Sequence, residues 1–315
     1  MQPIKCAVIG VGHLGKYHAE KYAASKESEL VAVCDTNYTR TQEIANHHHV
    51  AAFSDYHALL GLVTAVSIVT PTTSHHTIAK FFLSQGVHVF VEKPMTMTVE
   101  EADELINISE KNNLVLQVGH IERFNPAIVA CKPLIQNPTY IETQRLSPFN
   151  PRCLEVNVVL DLMIHDIDLI KHIVPAKITE IHATGASIIT NDIDIANARI
   201  QFDNGCIANL NASRVSHVTE RNIKIYHQKS YIFADLKDRT LLTFQKNNHE
   251  MHDVLNTTHP VENYDALHDE LTAFLHAIKT QTKPLISGVD GRTNLSIALA
   301  ITHHIEKKIK LAEFA

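Results

Sequence analysis

The sequence predicts two domains, a doubly wound α/β domain followed by an α+β domain with a mainly antiparallel sheet. The chain has 315 residues, and globular domains commonly hold roughly 100–200 residues. Up to residue 120, short apolar runs alternate with amphipathic stretches, which is typical of βαβ units around a parallel sheet. Beyond Gly119, longer β-rich runs follow one another with tight turns between them. We therefore place the domains at residues 1–120 and 121–315.

The first domain is predicted to alternate five strands with four helices. The strands are Ile4–Ile9, Leu30–Cys34, Val66–Val69, Val87–Val91 and Leu114–Val118. The helices are predicted over residues 14–24, 39–47, 76–85 and 99–111. Because crossovers between parallel strands are right-handed, this order places helices on both faces of the sheet.

The second domain is predicted to hold β-rich runs, an early helix and two closing helices. The runs are Tyr140–Leu146, Ile178–Ser187, Ala196–Phe202, Cys206–Val215 and Arg221–Ala234. Asp203-Asn204-Gly205 supplies a turn between two of them. The helices are predicted over residues 156–173, 265–279 and 291–309. Strands joined by such turns favour antiparallel pairing.

The charge and composition exclude several classes of protein. The formal net charge is −6, and no run of basic residues is longer than Lys307-Lys308, so a nucleic-acid or anionic-membrane partner lacks its electrostatic footprint. No stretch of 18 apolar residues and no signal-peptide pattern occurs. The cysteines have no C-x-x-C spacing; they are Cys6, Cys34, Cys131, Cys153 and Cys206. These features predict a cytoplasmic protein with reduced thiols.

A glycine-rich loop follows the first strand. Gly10, Gly12 and Gly15 form G-x-G-x-x-G at the opening of a helix, where backbone amides and the helix dipole favour a pyrophosphate. Asp35 ends the second strand, 20 residues after Gly15, where its carboxylate would accept hydrogen bonds from ribose hydroxyls and repel a 2′-phosphate. The pair predicts NAD as cofactor. Arg40 could neutralise a 2′-phosphate, so NADP stays open, as does a glycine turn of another α/β protein.

Two further strands end in polar segments. Thr70 to His75 follow one strand, and Glu92-Lys93-Pro94 follow the next, so both segments lie at the carboxyl ends where open parallel sheets bind ligands. Pro94 disfavours the α region at Lys93. A lysine held there can donate a hydrogen bond to a substrate oxygen and stabilise a developing alkoxide. The alternative is an exposed loop lysine without a role.

The helix over residues 156–173 carries an unusual polar stripe. Asp161, His165 and Asp168 lie at i, i+4 and i+7 among largely apolar neighbours, so they share one face of an α-helix. Histidine beside a carboxylate can accept a hydroxyl proton near physiological pH, with the carboxylate fixing its tautomer. Alternatively, the two aspartates make structural hydrogen bonds beneath a loop.

These motifs together resemble the glucose-fructose oxidoreductase, inositol dehydrogenase and rhizopine catabolism (Gfo/Idh/MocA) family, in family order and over nearly the whole chain. The resemblance implies a Rossmann domain, a second domain with an open antiparallel sheet, a nicotinamide cofactor, and pairing of subunits as a homodimer or homotetramer. It implies Lys93 and His165 as catalytic residues, supported by Asp161. The cofactor-binding residues that we predict are Gly10, Gly12, His13, Leu14, Gly15, Asp35, Thr70, Pro71, His75, Glu92 and Lys93.

Within the family, segments around Gly119, Arg145 and Val158 resemble the branch that oxidises the 3-hydroxyl of UDP-N-acetylglucosamine. A nucleotide sugar carries a diphosphate that needs local cations. The predicted substrate-binding residues are Arg123, Asn125, Arg145, Arg152 and Arg214. Each arginine could instead form an unrelated ion pair. An inositol or free-sugar dehydrogenase of the same family, which needs no such arginines, and a non-catalytic dinucleotide sensor remain the alternatives.

The 22 histidines invite a metal hypothesis, which we reject as the main interpretation. Adjacent histidines such as those at positions 47–49 point about 100° apart on a helix and do not share one ion. The sequence has neither H-E-x-x-H nor Cys/His ligand spacing. We predict no metal site.

Overall fold

The computed structural model describes residues 2–151, 155–246 and 254–313. Two compact units divide the chain. The first comprises Met1–Ile121 with Leu267–Leu295, and the second comprises Glu122–Ala266 with Ser296–Ala315. The segment Leu267–Leu295, which the sequence analysis assigned to the second domain, instead groups with the first unit.

The first unit is built on a six-stranded sheet in which every pair is parallel. Its strands are β1 (Ile4–Ile9), β2 (Ser28–Cys34), β3 (Ala51–Phe53), β4 (Ala65–Ile68), β5 (His88–Glu92) and β6 (Leu116–Gly119). Its helices are α1 (Gly15–Ala24), α2 (Tyr38–His48), α3 (Thr72–Ser84) and α4 (Val99–Lys111). The order β3-β2-β1-β4-β5-β6 confirms the doubly wound prediction and reverses direction between β1 and β4. Ligands of such sheets bind at that switch point.

Local sequence signals explain where these helices begin. Thr98 caps α4 in a capping box with Glu101, whose side chain returns to the Thr98 amide. Asn37 caps α2 by accepting from the Arg40 amide. Helix α3 begins at Thr72, four residues before the predicted start, because Pro71 ends the preceding extended segment. The sequence analysis missed the short strand β3, whose three residues are too few for a periodic signal.

The second unit holds an eight-stranded sheet. Its strands are β7 (Tyr140–Leu146), β8 (Ile178–Ala186), β9 (Ile195–Phe202), β10 (Ile207–Ser213), β11 (Glu220–Tyr226), β12 (Ser230–Asp235), β13 (Thr240–Lys246) and β14 (Val254–His259). The strand order is β14-β13-β12-β11-β7-β10-β9-β8. Strands β7 and β10 pair in parallel and the other described pairs are antiparallel, which confirms the mainly antiparallel sheet.

Two predictions for this sheet were incomplete. The run Arg221–Ala234 is two strands, because the chain turns between Tyr226 and Ser230 and β11 pairs back on β12. Strands β13 and β14 were missed. The turn predicted at Asp203-Asn204-Gly205 is present, and Gly205 there has a φ of +84°, which glycine adopts without steric cost.

The remaining helices are α5 (Pro126–Cys131), α6 (Ile164–Ile173), α7 (Ala266–Thr280) and α8 (Gly288–Glu313). A π-helical turn, Val159–Met163, precedes α6 directly, so the predicted continuous α-helix is interrupted there. Turns of this type concentrate at functional sites. Within the described part of the chain, no helix is long and apolar enough to cross a membrane.

Candidate active site

The loop between β1 and α1 requires glycine at two positions. Gly10 has a φ of +87°, and a Cβ there would lie 2.5 Å from the Val69 carbonyl oxygen. A Cβ on Gly15 would lie 1.8 Å from the Gly10 carbonyl oxygen. Neither position accepts a side chain. The tight turn therefore brings the amino end of α1 directly above the end of β1, as a pyrophosphate site needs.

The same loop fits a dinucleotide at Gly12 and Asp35. A Cβ on Gly12 would have Arg40 Nη1 as its nearest neighbour, at 3.9 Å, so the space beside this glycine is open to a ligand. The half-buried Asp35 accepts hydrogen bonds from the amides of Val11 at 2.9 Å and Asn37 at 2.8 Å. A carboxylate has about four lone-pair sites, so Asp35 keeps acceptor capacity for ribose hydroxyls. His13 and Leu14, on the rim of the loop, are exposed.

His75 connects two of the loops that follow parallel strands. Its Nδ1 lies 2.9 Å from the Pro94 carbonyl oxygen, and its Nε2 lies 2.8 Å from the Thr70 carbonyl oxygen. The Ser74 hydroxyl lies within hydrogen-bond distance of Thr70 Oγ1 and of the Pro71 carbonyl oxygen, both at 2.8 Å. The buried ring of His75 contacts main-chain carbonyls, so we expect it to serve a cofactor site through the loops it holds.

Glu92 ends β5 and Lys93 follows it directly, and the Lys93–Pro94 peptide bond is cis. The Glu92 carboxylate contacts His18 Nε2 at 3.2 Å and accepts from the Lys93 amide at 3.3 Å. Burial alone would raise the pKa of Glu92, but His18 and Lys93 together hold that pKa below its ordinary value. The carboxylate is thus anionic beside the half-buried Lys93. Sequence reasoning missed His18, although its position three residues after Gly15 places it on the buried face of α1.

The π-helical turn and α6 carry the predicted polar stripe. Asp161 lies in the π-helical turn and His165 in the first turn of α6, and both side chains are half-buried. Asn157 opens this segment, accepting from the amides of Val159 and Leu160 at 3.0 and 3.1 Å. Both side chains therefore keep part of their surface exposed. A wider π turn rotates residues by less than 100° each, so the α-helical spacing predicted for the stripe does not hold across it.

Asp168, the third residue of the stripe, is committed to an ion pair. Arg123 binds its two carboxylate oxygens with Nε and Nη2, at 2.8 and 2.6 Å. Asp168 is fully buried, and this two-pronged geometry is the strongest form of an arginine–carboxylate contact. This contact matches the structural alternative left open for Asp168.

Arg145 is the centre of a second buried ion cluster. Its guanidinium donates to Glu122 Oε1 at 2.8 Å and to Asp166 Oδ1 at 2.7 and 2.9 Å. Burial raises the pKa of Asp166, whereas the charge and hydrogen bond of Arg145 outweigh burial at Glu122 and lower the pKa of that carboxyl. Asn125 donates to Glu122 at 2.9 Å and caps α5.

Arg214 also forms a buried ion pair. It donates to Asp194 Oδ1 at 2.9 Å and to the carbonyl oxygens of Val156 and Ile193. Asp194 also accepts from consecutive main-chain amides, Ile188 through Thr190, which keep its pKa well below the ordinary value despite burial. For Arg145 and Arg214, the geometry therefore favours the ion-pair alternative over contact with a phosphate. Arg152 lies outside the described residues.

Sequence reasoning did not identify the acidic partners Glu122, Asp166 and Asp194. Their signal in a single sequence is weak, since aspartate and glutamate side chains are mostly exposed to solvent. Among the described residues, no three His, Cys, Asp or Glu side chains are grouped so that they could hold a metal ion.

Two family models match the chain. Residues 4–120 match the oxidoreductase family with an NAD-binding Rossmann fold, and residues 142–233 match the GFO/IDH/MocA C-terminal domain. The chain belongs to the Gfo/Idh/MocA family of oxidoreductases. This Gfo/Idh/MocA protein is an NAD-dependent oxidoreductase acting on CH–OH groups, in a family of sugar dehydrogenases.

Individual relatives cover almost the whole chain. A UDP-N-acetylglucosamine 3-dehydrogenase from Acidithiobacillus ferrooxidans is 39% identical over 96% of this chain and 97% of its own, and its solved structure matches with a TM-score of 0.91 over 98% of this chain and 99% of that one. A scyllo-inositol 2-dehydrogenase (NAD(+)) from Bacillus subtilis is 27% identical over 95% of this chain and 93% of its own. Levoglucosan dehydrogenase in complex with NADH, 20% identical, covers 98% of both chains with a TM-score of 0.88 and shares the fold.

Proposed function

We propose that this Gfo/Idh/MocA protein oxidises the 3-hydroxyl of UDP-N-acetylglucosamine to a ketone. The observation that carries the proposal is the 39% identity, over nearly the full length of both chains, to an enzyme named for that reaction. Inositol 2-dehydrogenases align over a similar length at 22% and 27% identity. The nucleotide-sugar assignment therefore has more support from identity than the inositol alternative.

In the proposed mechanism, the residues of this chain move one proton and stabilise one charge. His165 accepts the proton of the substrate hydroxyl, and Asp161 orients the imidazole. The Lys93 ammonium donates a hydrogen bond to the oxygen as negative charge develops on it. NAD, when bound, accepts the hydride from the oxidised carbon. The glycine loop and Asp35 hold the dinucleotide.

The substrate phosphates need cations that the described ion pairs do not supply. Arg123, Arg145 and Arg214 already bind carboxylates. Of the predicted set, Arg152 is therefore the residue we retain for the diphosphate. The internal pairing of the other three is also the observation that favours the alternative, an inositol or free-sugar dehydrogenase.

The decisive experiment follows NADH formation with a substrate panel. We expect UDP-N-acetylglucosamine to be oxidised with a kcat/KM at least about 10²-fold above that of free N-acetylglucosamine, glucose or myo-inositol, because the nucleotide contributes binding energy. Arg152→Ala should raise KM more than it lowers kcat, as loss of ground-state phosphate binding does. Efficient turnover of inositol or free sugars, with none of UDP-sugars, would retain the dehydrogenase and reject the nucleotide-sugar substrate.

We also propose that the chain forms a homo-oligomer through the half-exposed face of the second sheet. Aromatic rings form a ladder across β7, β11, β12 and β13, with centroid separations of 5.5, 5.2 and 4.3 Å. The rings are Tyr140, Tyr226, Tyr231 and Phe244. Such surfaces commonly mark protein interfaces. Light scattering of wild type and Phe244→Arg tests the proposed homo-oligomer. A monomeric wild type rejects it, and a smaller mass for the variant supports it.

The predicted cytoplasmic location remains a proposal, supported by the four described cysteines, which are buried free thiols.

A further inference from the structure

Two buried histidines from different helices contact the turn that carries Lys93. His18 extends from α1 and His75 from α3, and each residue is 1% exposed. One reaches Glu92, before the lysine, and the other reaches Pro94, after it. The turn is thus held on both sides by imidazole rings inside the first unit.

On one side, His18 acts on the turn through a carboxylate. Its Nε2 lies 3.2 Å from Glu92 Oε1, while Glu92 Oε2 accepts from the Lys93 amide at 3.3 Å. Gly119 on the neighbouring strand leaves room for this arrangement, since a Cβ there would lie 3.0 Å from the carboxylate atoms. The Glu92 side chain is therefore fixed by His18 and in turn fixes the main chain of Lys93.

The burial of His18 has a cost at one ring nitrogen. Its Nδ1 is buried and has no hydrogen-bond partner among the described residues, and an unsatisfied buried polar atom costs about 1–3 kcal/mol. The ring also contacts Phe90 edge-on, at a centroid distance of 5.4 Å. An apolar side chain would fill this space without that cost. The contact with Glu92 is what distinguishes histidine from such a side chain.

On the other side, His75 connects the main chain of two loops. The carbonyl oxygens of Thr70 and Pro94, at 2.8 and 2.9 Å from its two ring nitrogens, can only accept hydrogen bonds. The ring therefore spans the loops that follow β4 and β5. Displacement of either loop would break one of these contacts.

We propose that His18 and His75 are positioning residues for Lys93, holding the Glu92-Lys93-Pro94 turn so that the ammonium is correctly placed for the developing alkoxide. The inference rests on the proposed role of Lys93. Neither histidine contacts the reacting atoms in this proposal; each acts through the turn.

Asparagine and glutamine variants test the proposal atom by atom. A glutamine amide nitrogen reaches approximately the position of Nε2 in histidine, and an asparagine amide nitrogen approximately that of Nδ1. His18→Gln should retain the Glu92 contact and His18→Asn should lose it. At His75 the expectation is reversed, because Nδ1 is the ring nitrogen that reaches the Pro94 carbonyl oxygen. His75→Asn should therefore retain the contact with the turn, and His75→Gln should lose it. His76→Gln is the matched control, since the half-buried His76 on the same helix pairs with Glu104.

We expect His18→Asn to lower kcat by about 10²-fold, since a misplacement of about 1 Å can have that effect. KM for the sugar substrate should stay within about threefold, because ground-state binding is not changed. His18→Gln and His76→Gln should keep kcat within about threefold of wild type, and the kcat of His75→Gln should fall below that of His75→Asn. Thermal unfolding confirms that each variant folds. Equal kcat values for His18→Asn and His18→Gln would overturn the proposal.

A second set of measurements separates this proposal from the function on which it rests. In a Lys93→Met background, His18→Asn should have no further effect, because residues acting as a unit are non-additive. An undiminished loss in that background rejects the positioning role alone, whereas wild-type turnover by Lys93→Met rejects the proposed role of Lys93. Amide hydrogen exchange of a peptide spanning residues 88–97, without substrate, should be faster in His18→Asn than in His18→Gln. Equal exchange in the two variants would contradict the proposal that His18 holds the turn, independently of activity.

Discussion

The loops of the first unit and the charged core of the second use polar residues in opposite ways. In the first unit, Asp35 accepts hydrogen bonds from two main-chain amides and remains half-buried, and the space beside Gly12 in the same loop is open. In the second, Arg145 is 3% exposed and makes three hydrogen bonds to two carboxylates. The first arrangement leaves capacity for a ligand, and the second is closed within the protein.

This difference teaches how to rank candidate residues. A polar residue on a loop after a parallel strand has a geometric reason to meet a ligand, whereas an arginine on a strand of a half-covered sheet has none. The contrast recurs within α6, where His165 is half-buried while the adjacent Asp166 is buried against Arg145. Variants of the open residues should change activity, and variants of the closed residues should change stability.

The largest expected effect is that of His165→Asn. Loss of the proton acceptor should lower kcat by about 10²–10⁴-fold and leave the unfolding temperature near that of wild type. Wild-type kcat/KM should rise with pH through one ionisation and then plateau, because only neutral imidazole accepts a proton. Steady-state kinetics over a pH series measure both. Retention of the rate and the pH profile in the variant would move the proton to another route, with Lys93 the next candidate.

Arg145→Met should have the converse effect on stability. Removing one partner from a buried ion pair leaves uncompensated charge and costs about 3–5 kcal/mol in free energy of unfolding. Urea denaturation measures the loss. Arg199→Met is the matched control, since Arg199 is half-buried on the sheet and its hydrogen bond to Asn209 is long, at 3.4 Å. A stable Arg145 variant with a raised KM for UDP-sugar would restore this arginine to the substrate site.

Lys93→Met should fold, bind NAD and lose kcat by about 10²–10³-fold, the effect of removing one donor to a developing oxyanion. NAD titration and kcat measurements separate the two functions, because the ammonium is proposed to act on the substrate oxygen. The unfolding temperature should stay near that of wild type. A large loss of stability instead would show that Lys93, like Arg145, serves the structure and not the reaction.

Asp35→Ala should change cofactor choice. A hydrogen bond to a charged group contributes about 1.5–3 kcal/mol, so we expect NAD affinity to fall by about tenfold or more. NADP affinity should rise, because the 2′-phosphate loses a repelling carboxylate and the nearby Arg40 becomes its partner. Dissociation constants for both cofactors measure the change, and Asp35→Ala with Arg40→Ala should remove the gain for NADP. Wild-type protein that binds NADP as tightly as NAD would contradict the role of Asp35.

The smallest expected effect is an acid-dependent stability from Asp194. Its pKa is lowered in the folded protein, so its contribution to stability is present above the unfolded pKa of about 3.9 and is lost as pH falls toward the folded pKa. The free energy of unfolding of wild type should therefore fall more steeply below pH ~4 than that of Asp194→Asn. Urea titrations at a series of pH values compare the slopes, and parallel slopes would show that Asp194 titrates alike in both states.

The first unit was more predictable than the second because its signals are local. The glycine loop and the helix patterns depend on residues close in sequence, and α1 and α4 begin within one residue of their predicted starts. In the second unit, the turn between Tyr226 and Ser230 lacks a glycine or proline, so two strands resembled one. The π-helical turn before α6 likewise has no marker in a single sequence.

The sequence by itself determined the parallel nucleotide-binding fold, the glycine loop with Asp35, and the presence of Lys93, Asp161 and His165, since each depends on spacing along the chain. Only the tertiary structure decided the partners of the buried charges. Arg145 is 21 residues from Asp166 and 23 residues from Glu122 in the sequence. Glu92, at the end of β5, likewise contacts His18 on α1. Such contacts arise because a buried charge must find an opposite charge or a hydrogen bond wherever the fold supplies one.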